Sequence, residues 1–142
     1  MRGLQLSTCL LLASCSSVEV GDYAERQPVF QPETFFAGSL KAYGVVKNYQ
    51  GYASRSFVAD IDACWKDGVG TAAVSGNAMF LDYVLTIALQ DGSIDVNVDD
   101  RMYLVDDNVL INESVMRKFG VPVGEILLTI IRYPDDEISC PE

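Results

Sequence analysis

The chain is predicted to be all-β, an antiparallel meander that forms a barrel or a strongly curved sheet, either complete or with a gap. Three observations predict this. Apolar residues recur with period two through most of residues 35–134. Turn-forming pairs such as Gln50-Gly51, Asp91-Gly92 and Asp107-Asn108 separate the runs at fairly even spacing. No segment carries a sustained period of 3.6.

Taken in order, residues 1–14 read as a signal peptide. Arg2 supplies the positive start, residues 4–12 the apolar run, and Ala13-Ser14 the small residues beside a cleavage point. The run is shorter than the about 20 residues a membrane-spanning helix needs. Residues 15–34 are polar and aperiodic and read as a tether, stiffened by Pro28 and Pro32. The domain is expected to occupy residues 35–134, and residues 135–142 read as a disordered tail.

Within the domain, residues 38–49 and 52–65 form a hairpin around Gln50-Gly51, and residues 69–75 give one short strand. Residues 81–89 follow, with Tyr83, Leu85, Ile87 and Leu89 in register. Gln90-Asp91-Gly92-Ser93 is a strong hairpin signal. Residues 93–104 give the clearest alternation. Ile94, Val96, Val98, Met102 and Leu104 share one parity, broken only by Asp100, and Ser93, Asp95, Asn97, Asp99 and Arg101 share the other. That is a strand with one face in a core. Residues 109–116 come next, with room for a single helical turn at 114–118. Gly120-Val121-Pro122 turns the chain into an apolar strand at 125–133. The expected inward residues are those of the first parity together with Leu85, Ile87, Ile126, Leu128 and Ile130. Closing the meander would hide its edges.

Composition narrows the function classes. The formal net charge of −10 argues against nucleic acid as a partner. There is no histidine, which removes histidine-based nucleophile systems and histidine metal sites. The four cysteines do not form a framework. Cys9 lies in the signal peptide. Cys64 and Cys140 either pair or remain thiols. Gly68-Val69-Gly70 is too short for a phosphate loop.

Leu12-Ala13-Ser14-Cys15 resembles the lipobox of bacterial lipoproteins. The resemblance implies that Cys15 carries the lipid and becomes the first mature residue; the alternative is an ordinary secretory signal with a chance cysteine. Ser16, rather than aspartate, implies the periplasmic face of the outer membrane. Residues 35–133 resemble a lipoprotein family known as domain of unknown function 3833 (DUF3833). The resemblance rests on Phe35-Phe36-Ala37-Gly38, on Gly76-Asn77-Ala78 with Tyr83, and on Asp99-Asp100-Arg101-Met102-Tyr103-Leu104. It also rests on Asn112, Met116, Arg117-Lys118-Phe119-Gly120 and Val123-Gly124-Glu125. The strand pattern makes the expected barrel lipocalin-like. Relatives carry a longer stretch between the positions of Trp65 and Gly76. The resemblance therefore implies that one hairpin is missing here, through a deletion or an error in the gene model.

Asp99 and Asp100 are the leading polar candidates. Adjacent strand residues face opposite ways, so one carboxylate points inward. An inward carboxylate needs partners, for which Arg101, Lys118 and Arg132 are available. It serves structure as a buried pair, orients a ligand, or, least favoured, acts as an acid or base. Asn112 and Lys118 share that ambiguity. Asp106-Asp107-Asn108 reads as turn chemistry rather than a calcium site. The aromatics Phe35, Tyr43, Tyr49, Phe57, Trp65, Phe80 and Tyr83 read as core. No cofactor or metal is expected. The expected function is that of a non-enzymatic, lipid-anchored periplasmic lipoprotein with a small apolar ligand in its barrel. The alternative is a structural or interaction lipoprotein with a filled core and a protein partner.

Overall fold

The structure is a computed structural model that describes residues 17–63 and 72–134. It is all-β. Seven strands run β1 (Gly38–Asn48), β2 (Ala53–Ala63), β3 (Ala73–Ser75), β4 (Ala78–Leu89), β5 (Gly92–Asp106), β6 (Val109–Lys118) and β7 (Val121–Tyr133). They form one sheet in the order β2-β1-β7-β6-β5-β4-β3, and every pairing is antiparallel. The last strand returns to the first, as in a closing barrel. Closure stops there, because among the described residues β2 and β3 do not pair and the sheet stays open between them. The expected meander is present, and among the described residues it takes the gapped rather than the complete form.

The predicted faces hold. Val96, Val98, Leu104 and Ile130 are buried, and Ile94, Met102, Ile87, Ile126 and Leu128 are half-buried on the same side. Directly opposed residues share a face of the sheet. Registers such as Val98 opposite Tyr83 and Met116, and Leu110 opposite Ile130, therefore fix an inner face across four strands. Gly44 on β1 shows how closely that face is filled. A Cβ there would come 2.5 Å from Cζ of Phe57 and 2.9 Å from Cβ of Leu128. Only glycine lets the Phe57 ring lie across the strand.

Two details differ from the sequence reading. Residues 114–118 continue strand β6 and make no helical turn, because ladder bonds to both β5 and β7 outweigh local propensity. The turn expected at 120–122 is tighter, with Phe119-Gly120 at the bend and Val121 already in β7.

The segment read as a tether is partly structural. A 3-10 turn (Val20–Tyr23) and a short helix (Pro32–Phe35) lead into the sheet. Phe30 and Phe35 are buried and, with Phe36, form three mutually tilted ring pairs. They plug one end of the inner face against Leu40, Ala42, Met79, Leu104, Leu110 and Ile130. The sequence hid this because three phenylalanines with irregular spacing have no period to detect. Gly76 anchors the segment. Its φ of +52 suits glycine, a Cβ there would collide with the Tyr23 carbonyl, and its own carbonyl accepts from Phe30 N–H at 2.8 Å.

Candidate functional site on the inner face

The inner face is apolar at both ends and polar in its middle. One end is the plugged cluster. The other holds Val96, Val98 and Met116 with Ile87, Ile94 and Ile126. Between them sit Asp100, Asn112 and Ser114, the three buried polar residues among those described. Asp100 occupies the inward parity of β5, and Asn112 and Ser114 occupy that of β6, where Asp100 pairs Ser114 and Met102 pairs Asn112. Strand pairing thus brings the three together.

Asp100 is 5% exposed. Its carboxylate accepts from Asn112 Nδ2, from Ser114 Oγ at 2.9 Å, and from the Tyr83 hydroxyl at 3.3 Å. Asn112 Nδ2 also reaches the Arg101 carbonyl at 3.3 Å, and Ser114 Oγ lies 3.2 Å from Asn112 Oδ1. Every partner is neutral. The cations that the sequence offered lie elsewhere. Arg101 pairs with Asp99 on the outer face, Nε to Oδ1 at 3.0 Å, and stacks over Phe80 at 5.0 Å. Lys118 Nζ donates to the Asp95 carbonyl at 2.6 Å. Arg132 Nε reaches the Ala37 carbonyl at 3.5 Å.

So Asp100 and Asn112 of the candidate set come together, whereas Asp99 and Lys118 do not join them. Cys15, Cys64 and Cys140 lie outside the described residues. Asp106 Oδ1 accepts from Asn108 N–H at 3.2 Å, as turn chemistry requires. Ser114 and Tyr83 were missed as members of the site. The signal was there: Leu110, Asn112, Ser114 and Met116 alternate on one parity, so two polar residues stand in an apolar stripe.

Tyr83 lies at the margin of the cluster. It faces inward, yet it is 42% exposed, and its neighbour Leu85 on the same face is 38% exposed. Burial of the ring, with the nearby Asp100 charge and hydrogen bond, pushes its phenol up to about 12. The phenol therefore stays protonated and donating at neutral pH. Several open depressions mark the opposite face. One of ≈ 410 Å³ is lined by Asp82, Val84, Asn97, Asp99 and Arg117, and another of ≈ 300 Å³ by Ser39, Lys41, Asp60, Asp62 and Tyr133.

Fold and site together define a small, open all-β domain with a partly uncovered inner face around one buried carboxylate. The chain belongs to the family described as protein of unknown function (DUF3833), whose model matches residues 9–72 and 67–132. The two matched segments meet at residues 67–72, the stretch between β2 and β3. No curated protein and no solved structure matches the chain.

Proposed function

We propose that the protein is a lipid-anchored envelope lipoprotein, tethered through Cys15 to the periplasmic face of the outer membrane, which holds a small apolar ligand against its inner face. The observation that carries the ligand reading is the exposure of inward side chains. Tyr83 and Leu85 are exposed and Phe57, Ile126 and Leu128 are only half-buried, although all face the core side. Apolar surface of that kind is stabilised by covering it. The Tyr83 oxygen at the edge of the cluster offers an acceptor to a ligand hydroxyl or amine. The role is one of binding, without catalysis.

The lipobox resemblance supports the anchor and the compartment. Native mass spectrometry of the purified protein tests the ligand, with an apolar adduct lost on Tyr83→Ala as the expected result. A clean apo mass would end this reading. It would favour the second one, an interaction lipoprotein with a filled core, for which the Phe30–Phe35–Phe36 plug speaks.

A further inference from the structure

Two neighbouring hairpin tips lie at the end of the sheet away from the aromatic plug. The β1–β2 turn exposes Tyr49 and Tyr52 at 74% and 71%, and the β6–β7 turn exposes Phe119 at 90%, followed by Val121 and Val123. The register sets the tips side by side, since Asn48 pairs Gly124 and Lys118 pairs Val121. None of these rings is held by the core.

The backbone makes Phe119 more unusual still. Its φ is +52 and that of Gly120 is +80, so both central residues of the two-residue loop are left-handed. Such turns favour Asn-Gly, and a bulky side chain in that region is strained. The chain keeps an aromatic ring both strained and in water. An outlier of that kind points to a contact the isolated domain does not make.

The charge on these two turns is also locally basic. Residues 45–57 and 115–127 hold four cations, Lys47, Arg55, Arg117 and Lys118, and one carboxylate, Glu125, in a chain of net charge −10, while the adjoining β4–β5 tip carries Asp91 and Asp95. Glu125 is bound to Lys47 at 2.8 Å. Lys118 Nζ stands 4.9 Å from the Phe119 ring centroid, so cation and ring form one unit.

We propose that these two tips dock onto an anionic lipid bilayer. Tyr49, Tyr52 and Phe119 enter the headgroup layer, where aromatic rings are favoured, and Lys118, Arg117 and Arg55 meet the phosphates. The shape selects a bilayer over a protein. The rings stand on two projecting turns, whereas a protein interface buries its anchors at the centre of a patch of about 800 Å² per partner. The contact does not depend on a lipid at Cys15: Tyr23 packs against Tyr103, which pairs Ile111, eight residues of β6 or about 27 Å from Phe119.

The test uses the full chain with vesicles of phosphatidylcholine and phosphatidylglycerol whose acyl chains are brominated. Phe119→Trp and Val105→Trp are compared with the parent, whose single tryptophan gives the common background. Val105 is exposed near the opposite end of β5. The expected result is that tryptophan at 119 loses most of its emission to the bromines while tryptophan at 105 does not. Omitting phosphatidylglycerol should weaken the loss. An unquenched tryptophan at 119 in vesicle-bound protein overturns the proposal. So does one already shielded before vesicles are added, which would assign the tips to a protein contact or a second copy.

Discussion

Replacing Asp100 measures what the inner polar cluster does. In Asp100→Ala the carboxylate disappears from three donors. Asn112 and Ser114 are buried, and Tyr83 can turn to water. Hydrogen bonds to a charged group contribute about 1.5–3 kcal/mol each, so two buried ones set a gross loss of about 3–6 kcal/mol. Part of this is recovered. Ser114 Oγ can donate fully to Asn112 Oδ1, 3.2 Å away, and Asn112 Nδ2 keeps the Arg101 carbonyl. Removing a buried charge with no cation beside it returns more. About 2 kcal/mol of destabilisation should remain. Asp100→Asn keeps an acceptor for Asn112 and Ser114 and lets Tyr83 accept instead of donate, so it should cost about 1 kcal/mol or less. Urea unfolding reads both values as shifts of the midpoint at unchanged slope. If Asp100→Ala is neutral or stabilising, the network is not a structural device. A carboxylate that costs stability would then point to the ligand role, because functional sites are where such costs persist.

Other outcomes follow from the same geometry. Val96→Asp should unfold the domain, since an unpaired buried charge costs several kcal/mol against a total of about 5–15, while Asn97→Asp on the outer face should leave the thermal midpoint nearly unchanged; the reverse order would mean a register one residue away. In an alkaline ultraviolet titration, Tyr83 and Tyr103 should ionise last, near 12, both raised first by burial, Tyr83 then by Asp100 and Tyr103 by its bond to Tyr23. Because folding raises these values above the usual 10, their stabilising effect is complete below pH 10 and is lost between about 10 and 12; Tyr83→Phe should remove one late step and flatten that fall. Cys15→Ala should abolish incorporation of a palmitate analogue, and label retained on the variant would remove the anchor from the proposal. In hydrogen exchange, alternate amides of Ala53–Ala63 and of residues 81–89 should exchange quickly while Val109–Lys118 stays protected; uniform protection in a monomer would mean that the sheet closes.

Strands with one wet face were legible because alternation survives in the sequence. Residues 93–104 show it most clearly, and the structure keeps their parity. The one break in that run, Asp100, was the clue to the site, since an odd carboxylate on the inward parity must find partners. Which residues would partner it was not legible. Asn112 and Ser114 lie more than ten positions away, and only the β5–β6 register brings them opposite. The cations seemed natural partners by charge, yet Arg101 faces outward with Asp99, and Arg132 and Lys118 reach carbonyls away from the cluster. Phe30 was read as part of the tether because burial of an isolated aromatic depends on where the chain crosses the sheet end, and that depends on Gly76, far along the sequence.

The gap between β2 and β3 ties these observations together. Strands β1 and β7 pair along ten residues, so the first and last strands are joined as a barrel requires. What is lacking, among the described residues, is a second partner for β2 and for most of β4. β3 covers only Ala78, Met79 and Phe80. At the plugged end Phe30, Phe35 and Phe36 fill the space that closure would have filled, and burial there is nearly complete. Beyond Phe80 nothing described lies beside β4, and the inward Tyr83 and Leu85 are exposed on that same strand. Exposure of the inner face thus tracks the loss of strand neighbours rather than any change in sequence pattern. The family match divides at residues 67–72, the same place in the fold. One more hairpin there would cover Tyr83 and Leu85, so among the described residues the opening and the uncovered face coincide.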